Sequence, residues 1–220
     1  VKLPLQILTL IRKEILLEWR QRFALYGILL YVILVVFVAY LSFERVDVGT
    51  WATLFWIIML FTAINAITKS FMQEGPGRQL YYYTIASPQA MILAKMVYNT
   101  LLMVLITAVT LASYMYVLGF PLDHPWIFLL AVGLGAIGFS LTFTLMSAIA
   151  SKAGNSTALM AILSLPVFIP MLVMLITLSR LAYAETFVVS EVVKNSLALL
   201  AFDAIDLGLA LILFPYLWRD

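Results

Sequence analysis

Six apolar stretches, each about as long as a bilayer's hydrocarbon is thick, dominate this sequence and exclude most folds open to a chain of 220 residues. Crossing about 30 Å of hydrocarbon at 1.5 Å per residue takes ~20 residues. Ala24–Phe43, Trp51–Thr68, Ala90–Leu118, Trp126–Ala150, Ala158–Leu178 and Ser196–Trp218 all approach or exceed that length. Hydrophobic residues make up 65% of the chain and charged ones 11%. Soluble domains are roughly 45–50% apolar, so lipid must solvate the surplus. The runs are continuous, whereas barrel strands alternate over about ten residues. The expected fold is therefore an all-α membrane protein with six transmembrane helices. The third and fourth runs exceed a minimal span, which implies tilt or an extension beyond the apolar layer.

Basic residues set the expected sidedness. Lys2, Arg12, Lys13, Arg20, Arg22, Lys69, Arg78, Lys95, Lys152 and Arg219 fall on one side of the six spans, and Arg45, Arg180 and Lys194 on the other. Positive residues are retained in the cytoplasm, so both termini and the connection between the second and third spans are expected there. A net charge of +2 adds little, and no nucleic-acid partner is expected. Cysteine is absent, which removes disulfides, thiolate metal sites and thioether haem attachment. The first 22 residues carry charges throughout and no Ala-x-Ala site follows the first apolar run, so a cleaved signal is not expected.

Val1–Arg22 differs from the spans. Lys2, Gln6, Thr9, Lys13 and Arg20 recur at helical spacing, Leu3, Ile7, Ile11 and Ile15 occupy another face, and Pro4 suits a first turn. This predicts an amphipathic helix in the cytoplasmic interface of the bilayer, with docking on a partner protein as the alternative.

Catalytic motifs are missing. Gly75-Pro76-Gly77-Arg78 lacks the spacing of a phosphate-wrapping loop. No Ser/His/acid set and no paired-histidine metal motif is visible, so neither a resident metal nor enzymatic activity is expected. The single histidine, His124, sits in the external turn "GFPLDHP" and reads as a loop residue, with metal or haem ligation as the alternative. In the fourth span, Ala131 and Gly135, and then Gly138 and Thr142, are spaced for close helix packing in lipid. In the fifth, Pro166 and Pro170 loosen one side of the helix, reading either as a static kink or as a flexing element. Asp203 and Asp206 lie i,i+3 at mid-membrane in the sixth span. Carboxylates there cost a few kcal/mol unless paired, hydrated or protonated. They read as a buried structural pair, a polar seam, or a proton or cation path.

The remaining feature is "QEGPGRQLYYYTIASPQAMILAK", Gln73–Lys95, within a polar interruption over residues 69–89. A short helix starting near Arg78 could fit a groove in another protein, its tyrosines burying area while their hydroxyls stay wet. An interfacial loop with belt tyrosines is the plain alternative. The order of acid, glycine, leucine, Ser-Pro and lysine resembles the coupling segment of ABC exporter permeases. Here those residues are Glu74, Gly77, Leu80, Ser87, Pro88 and Lys95. More narrowly, "EILLEWRQRFAL", "TIASPQAMILAKM" and "AILSLPVFIPMLV" resemble the haem exporter protein B (CcmB) family of cytochrome c maturation permeases, over nearly the whole chain. The tyrosine triplet and the Asp203/Asp206 pair are not assignable to that pattern.

The resemblance implies one permease domain over 1–220, with an interfacial helix (1–22) and a coupling segment (69–89). It implies a CcmA-like ATPase partner, CcmC- and CcmD-like membrane partners, a CcmE-like haem chaperone, and a homodimer in the bacterial inner membrane. Glu74 and Arg78 would position the coupling helix, with Leu80, Tyr81 and Tyr83 in the ATPase groove. ATP enters through the partner, and haem as transported or partner-bound species. No cofactor is assigned to the chain itself. The tryptophan-rich motif and external histidine pair of haem-handling partners are absent from the sequence. Competing readings are an ion- or proton-coupled secondary transporter using Asp203 and Asp206, and a non-transporting membrane scaffold.

Overall fold

A computed structural model describes residues 3–20, 22–43, 46–68, 71, 86–152 and 157–219. Among them are seven α-helices and no strand. They are α1 (Leu3–Arg20), α2 (Arg22–Ser42), α3 (Val48–Ile67), α4 (Pro88–Leu118), α5 (Pro125–Lys152), α6 (Thr157–Leu181) and α7 (Val189–Arg219). α2 to α7 are each long and apolar enough to cross a membrane, and they match the six expected spans. α7 begins seven residues earlier than Ser196. Polar Glu191, Lys194 and Asn195 interrupt the apolar run there. Within the helix the Asn195 side-chain amide and Ser196 hydroxyl are satisfied by donating to the carbonyls of Glu191 and Val192, both at 2.8 Å.

Helix starts follow local chemistry. Asp47 caps α3 by accepting from the Thr50 amide at 2.9 Å and from the Thr50 hydroxyl. Ser87 caps α4 through Ala90 N, with Pro88 at the first position, where its fixed φ and missing N–H suit a helix. α4 ends at Gly119, whose φ of +76° disfavours any side chain.

α5 is the axis of the bundle, flanked by α3, α4, α6 and α7. Its spanning segment is 78% buried, against 17% for α2, which therefore lines the periphery. The small residues of α5 explain its place. A methyl added to Gly135 would stand 2.8 Å from the Trp56 ring, and one at Gly138 only 2.5 Å from Met171 Sδ and 2.7 Å from Asp203 Oδ1. Helix backbones in lipid associate through such close approach, so the packing reading of this stripe holds.

Toward the α2–α3, α4–α5 and α6–α7 links, Trp51, Phe55, Trp56, Tyr114 and Phe128 form one aromatic cluster. It is locked by Tyr114 Oη donating to Trp51 O and Trp56 Nε1 donating to Ser179 Oγ, both at 2.8 Å. His124 lies beyond it: its amide donates to Ala182 O at 2.8 Å and its ring packs 4.5 Å from Phe187. These contacts give it a structural place joining two links.

The face assignment in α1 needs correction. Ile7 and Ile11 pack on the bundle, but Leu3 and Ile15 point outward. Residues spaced by four drift around a helix of 3.6 residues per turn. The inward face instead carries Gln6, Leu10, Glu14 and Glu18.

Candidate functional site

Three side-chain contacts tie α1 to the start of α4: Ser87 Oγ donates to Gln6 Oε1 at 3.2 Å, Lys95 Nζ to Glu14 Oε1 at 3.2 Å, and Tyr98 Oη to Glu18 Oε2 at 3.1 Å. The partners advance together along both helices, so α1 runs alongside α4 in the same direction. With 31 residues, α4 is about 46 Å long at 1.5 Å per residue. It exceeds the hydrocarbon layer, and its first turns can carry α1 at the membrane surface.

Lys95 is the anchor of this junction. It is only 1% exposed, and its ammonium also lies 4.6 Å above the centre of the Phe71 ring. Phe71 in turn packs 5.6 Å from Phe214 of α7. Lys13 Nζ is a second cation on Glu14, at 3.0 Å. Described residues on either side of 72–85 are thus both fastened: Phe71 to α4 and α7, and Ser87 to α1. Of the coupling residues expected from sequence, Glu74, Gly77, Arg78, Leu80, Tyr81 and Tyr83 lie outside the described residues. Ser87 and Pro88 are described, and both serve the start of α4.

The bundle interior holds the second polar locus. Asp206 Oδ2 accepts from Thr142 Oγ1 of α5. Asp203, 6% exposed, has no hydrogen-bond partner on either oxygen among the described residues. It sits against Gly138, where a side chain would strike it. A polar row joins α4 and α5 nearby, through Asn99 Nδ2 to Thr144 Oγ1 at 2.8 Å and Thr100 with Ser140 at 2.9 Å. The two aspartates therefore share a face, as expected, but only Asp206 is bonded across to α5. Among the described residues no group of three or more His, Asp or Glu could hold a metal. Pro166 and Pro170 lie within a continuous α6, on its outward face beside Leu165 and Ile169.

Sequence reading missed Glu14, Glu18 and Asn99. Their signal was available: Gln6, Glu14 and Glu18 fall at multiples of four in α1, while Lys95 and Asn99 interrupt one apolar run at the same spacing. Pairing Glu14 with Lys95 requires knowing that α1 and α4 are neighbours, and pairing Asn99 with Thr144 that α4 and α5 are.

A match to the family model described as CcmB protein covers residues 5–216. The chain belongs to the CcmB family. Comparison with curated proteins gives no match. As a CcmB protein with six helices fit to span a bilayer, it is a multi-pass membrane protein and a haem-exporter permease component of cytochrome c maturation.

Proposed function

We propose that this CcmB-family chain is the membrane subunit through which a CcmA-like ATPase drives haem export or release of the haem-loaded chaperone CcmE. The single observation that carries this reading is the fastening of both residues that flank the 72–85 stretch, Phe71 on Lys95 and Phe214 and Ser87 on Gln6. A force applied to a segment held at both ends enters α1, α4 and α7 together, because packed helices move as rigid elements. Glu74 and Arg78 position the segment, and Leu80, Tyr81 and Tyr83 fill the ATPase groove. The chain hydrolyses no nucleotide itself. It forms one permease domain, pairs with a second copy, and sits with CcmC- and CcmD-like partners in the bacterial inner membrane, both termini cytoplasmic. Arg78→Glu combined with Tyr81→Ala is expected to leave insertion intact while uncoupling ATP hydrolysis from cytochrome c maturation. Normal cytochrome c levels in that variant sink the proposal.

The Asp203 carboxylate, without a hydrogen-bond partner among the described residues, favours a second reading, movement of protons or cations along α7. It requires transport without an ATPase partner and a pH dependence abolished by Asp203→Asn with Asp206→Asn. ATP-driven maturation that survives the double substitution leaves the aspartates a structural role.

A further inference from the structure

Where α1, α2 and α4 diverge, a cleft of about 330 Å³ opens on the outside of the bundle. That volume lies at the lower end of the ~300–1,000 Å³ range of small-molecule sites. Its walls are Ile15 and Trp19 of α1, Leu25 of α2, and Leu101 and Leu105 of α4. Trp19 is 68% exposed, and Leu101 and Leu105 about half exposed, so the cleft faces the lipid phase. Water has no access to such walls in a bilayer, and an acyl chain is the apolar body that surrounds them.

One charged group breaks the apolar lining. The Glu18 carboxylate lies in the cleft, with Oε2 accepting from Tyr98 Oη. That bond holds the carboxylate in place and leaves it further acceptor capacity, since an ionised carboxylate has about four lone-pair sites. A carboxylate at the edge of lipid is costly unless a cation meets it. Arg12, one turn before Ile15 on the same side of α1, is exposed. It supplies positive charge for a phosphate. The surface thus offers, in close succession, an apolar slot, one anchored anion and one arginine. This complements a zwitterion whose ammonium donates hydrogen bonds and whose phosphate is anionic.

We propose that this cleft binds a phospholipid with a primary-ammonium headgroup, phosphatidylethanolamine in chemical class, its acyl chain against Ile15, Leu101 and Leu105 and its ammonium on Glu18. The occupant wedges α1 against α4 beside the Glu14–Lys95 contact, so lipid composition bears on how firmly α1 is held. The trimethylated headgroup of a choline lipid has no N–H to give Glu18, and a glycerol lipid has no cation.

The test is native mass spectrometry of the full-length chain released from nanodiscs of equal phosphatidylethanolamine, phosphatidylcholine and phosphatidylglycerol content. The expected result is retention of the ethanolamine lipid roughly five-fold or more above each of the others. Glu18→Gln should bring that preference close to parity, with helix content by circular dichroism unchanged. Leu105→Trp, on the half-exposed wall where extra bulk meets lipid, should lower retention of all three lipids. Equal retention of the choline lipid, a preference for the glycerol lipid, no retained lipid, or an unchanged preference in Glu18→Gln each overturns the proposal.

Discussion

Glu14→Gln should be far more damaging than Lys95→Met, although the two residues share one ion pair. At 3.2 Å, opposite unit charges attract by about 5 kcal/mol at an effective dielectric near 20. Desolvation consumes much of this, and a buried pair contributes little net stability beside an apolar replacement. The asymmetry lies in what each substitution leaves. Glu14→Gln takes the carboxylate from an ammonium that is 1% exposed, a change that typically costs about 3–5 kcal/mol. Lys95→Met keeps the aliphatic volume and leaves Glu14 its second cation, Lys13 at 3.0 Å, where both side chains reach solvent. With the cation–π contact to Phe71 also lost, that penalty should be about 1–2 kcal/mol. The double variant Glu14→Gln/Lys95→Met should resemble Lys95→Met, giving a coupling energy of at least ~2 kcal/mol. Reversible denaturant unfolding of the full chain in mixed micelles, followed by fluorescence of buried Trp51 and Trp56, measures all three. Additive losses, or a Lys95→Met penalty larger than that of Glu14→Gln, would refute the assignment of Glu14 as a charge that compensates Lys95.

Gly135→Ala should destabilise by about 1–3 kcal/mol through overpacking, since its new methyl meets the rigid Trp56 ring at 2.8 Å. Gly133→Ala, with nothing within 4 Å, should match or exceed the parent in thermal unfolding, and equal losses at both positions would count against close packing of α5 on α3. Asp47 should titrate below its ordinary value of 3.8, because the Thr50 hydroxyl and amide hydrogen-bond its charged form. Its folded value is depressed, so its contribution is present above the unfolded value and fades as pH falls through the folded one. Carboxyl resonances followed by NMR should show Thr50→Val, which keeps the capping amide but deletes the hydroxyl, returning Asp47 toward 3.8, and an unmoved titration removes the hydroxyl from the account. Asp206→Leu, which deletes the acceptor of the Thr142 hydroxyl, should lose roughly 1–3 kcal/mol, and Asp206→Asn much less in the same unfolding assay.

Most of the architecture was legible in the sequence because lipid imposes a single rule on every span. A helix satisfies its own backbone, so length and hydropathy alone locate it. That rule misplaces a helix end where polar residues continue the helix past its apolar run, as at Val189–Asn195. Side-chain spacing also revealed the close-packing stripe of α5, where Gly135 and Gly138 admit Trp56, Met171 and Asp203. The face of α1 was misjudged for a different reason. Its inward row of Gln6, Glu14 and Glu18 looks water-facing until Ser87, Lys95 and Tyr98 are set beside it.

The sequence by itself determined that this chain crosses a membrane six times, where those crossings fall, and which family it resembles. Only the tertiary structure decided which polar residues meet: Glu14 with Lys95 across two helices, Thr142 with Asp206, and Asp203 with neither. Hydropathy is a property of each segment alone. Pairing depends on the rotation and register of helices far apart in the chain, which packing fixes and composition does not encode.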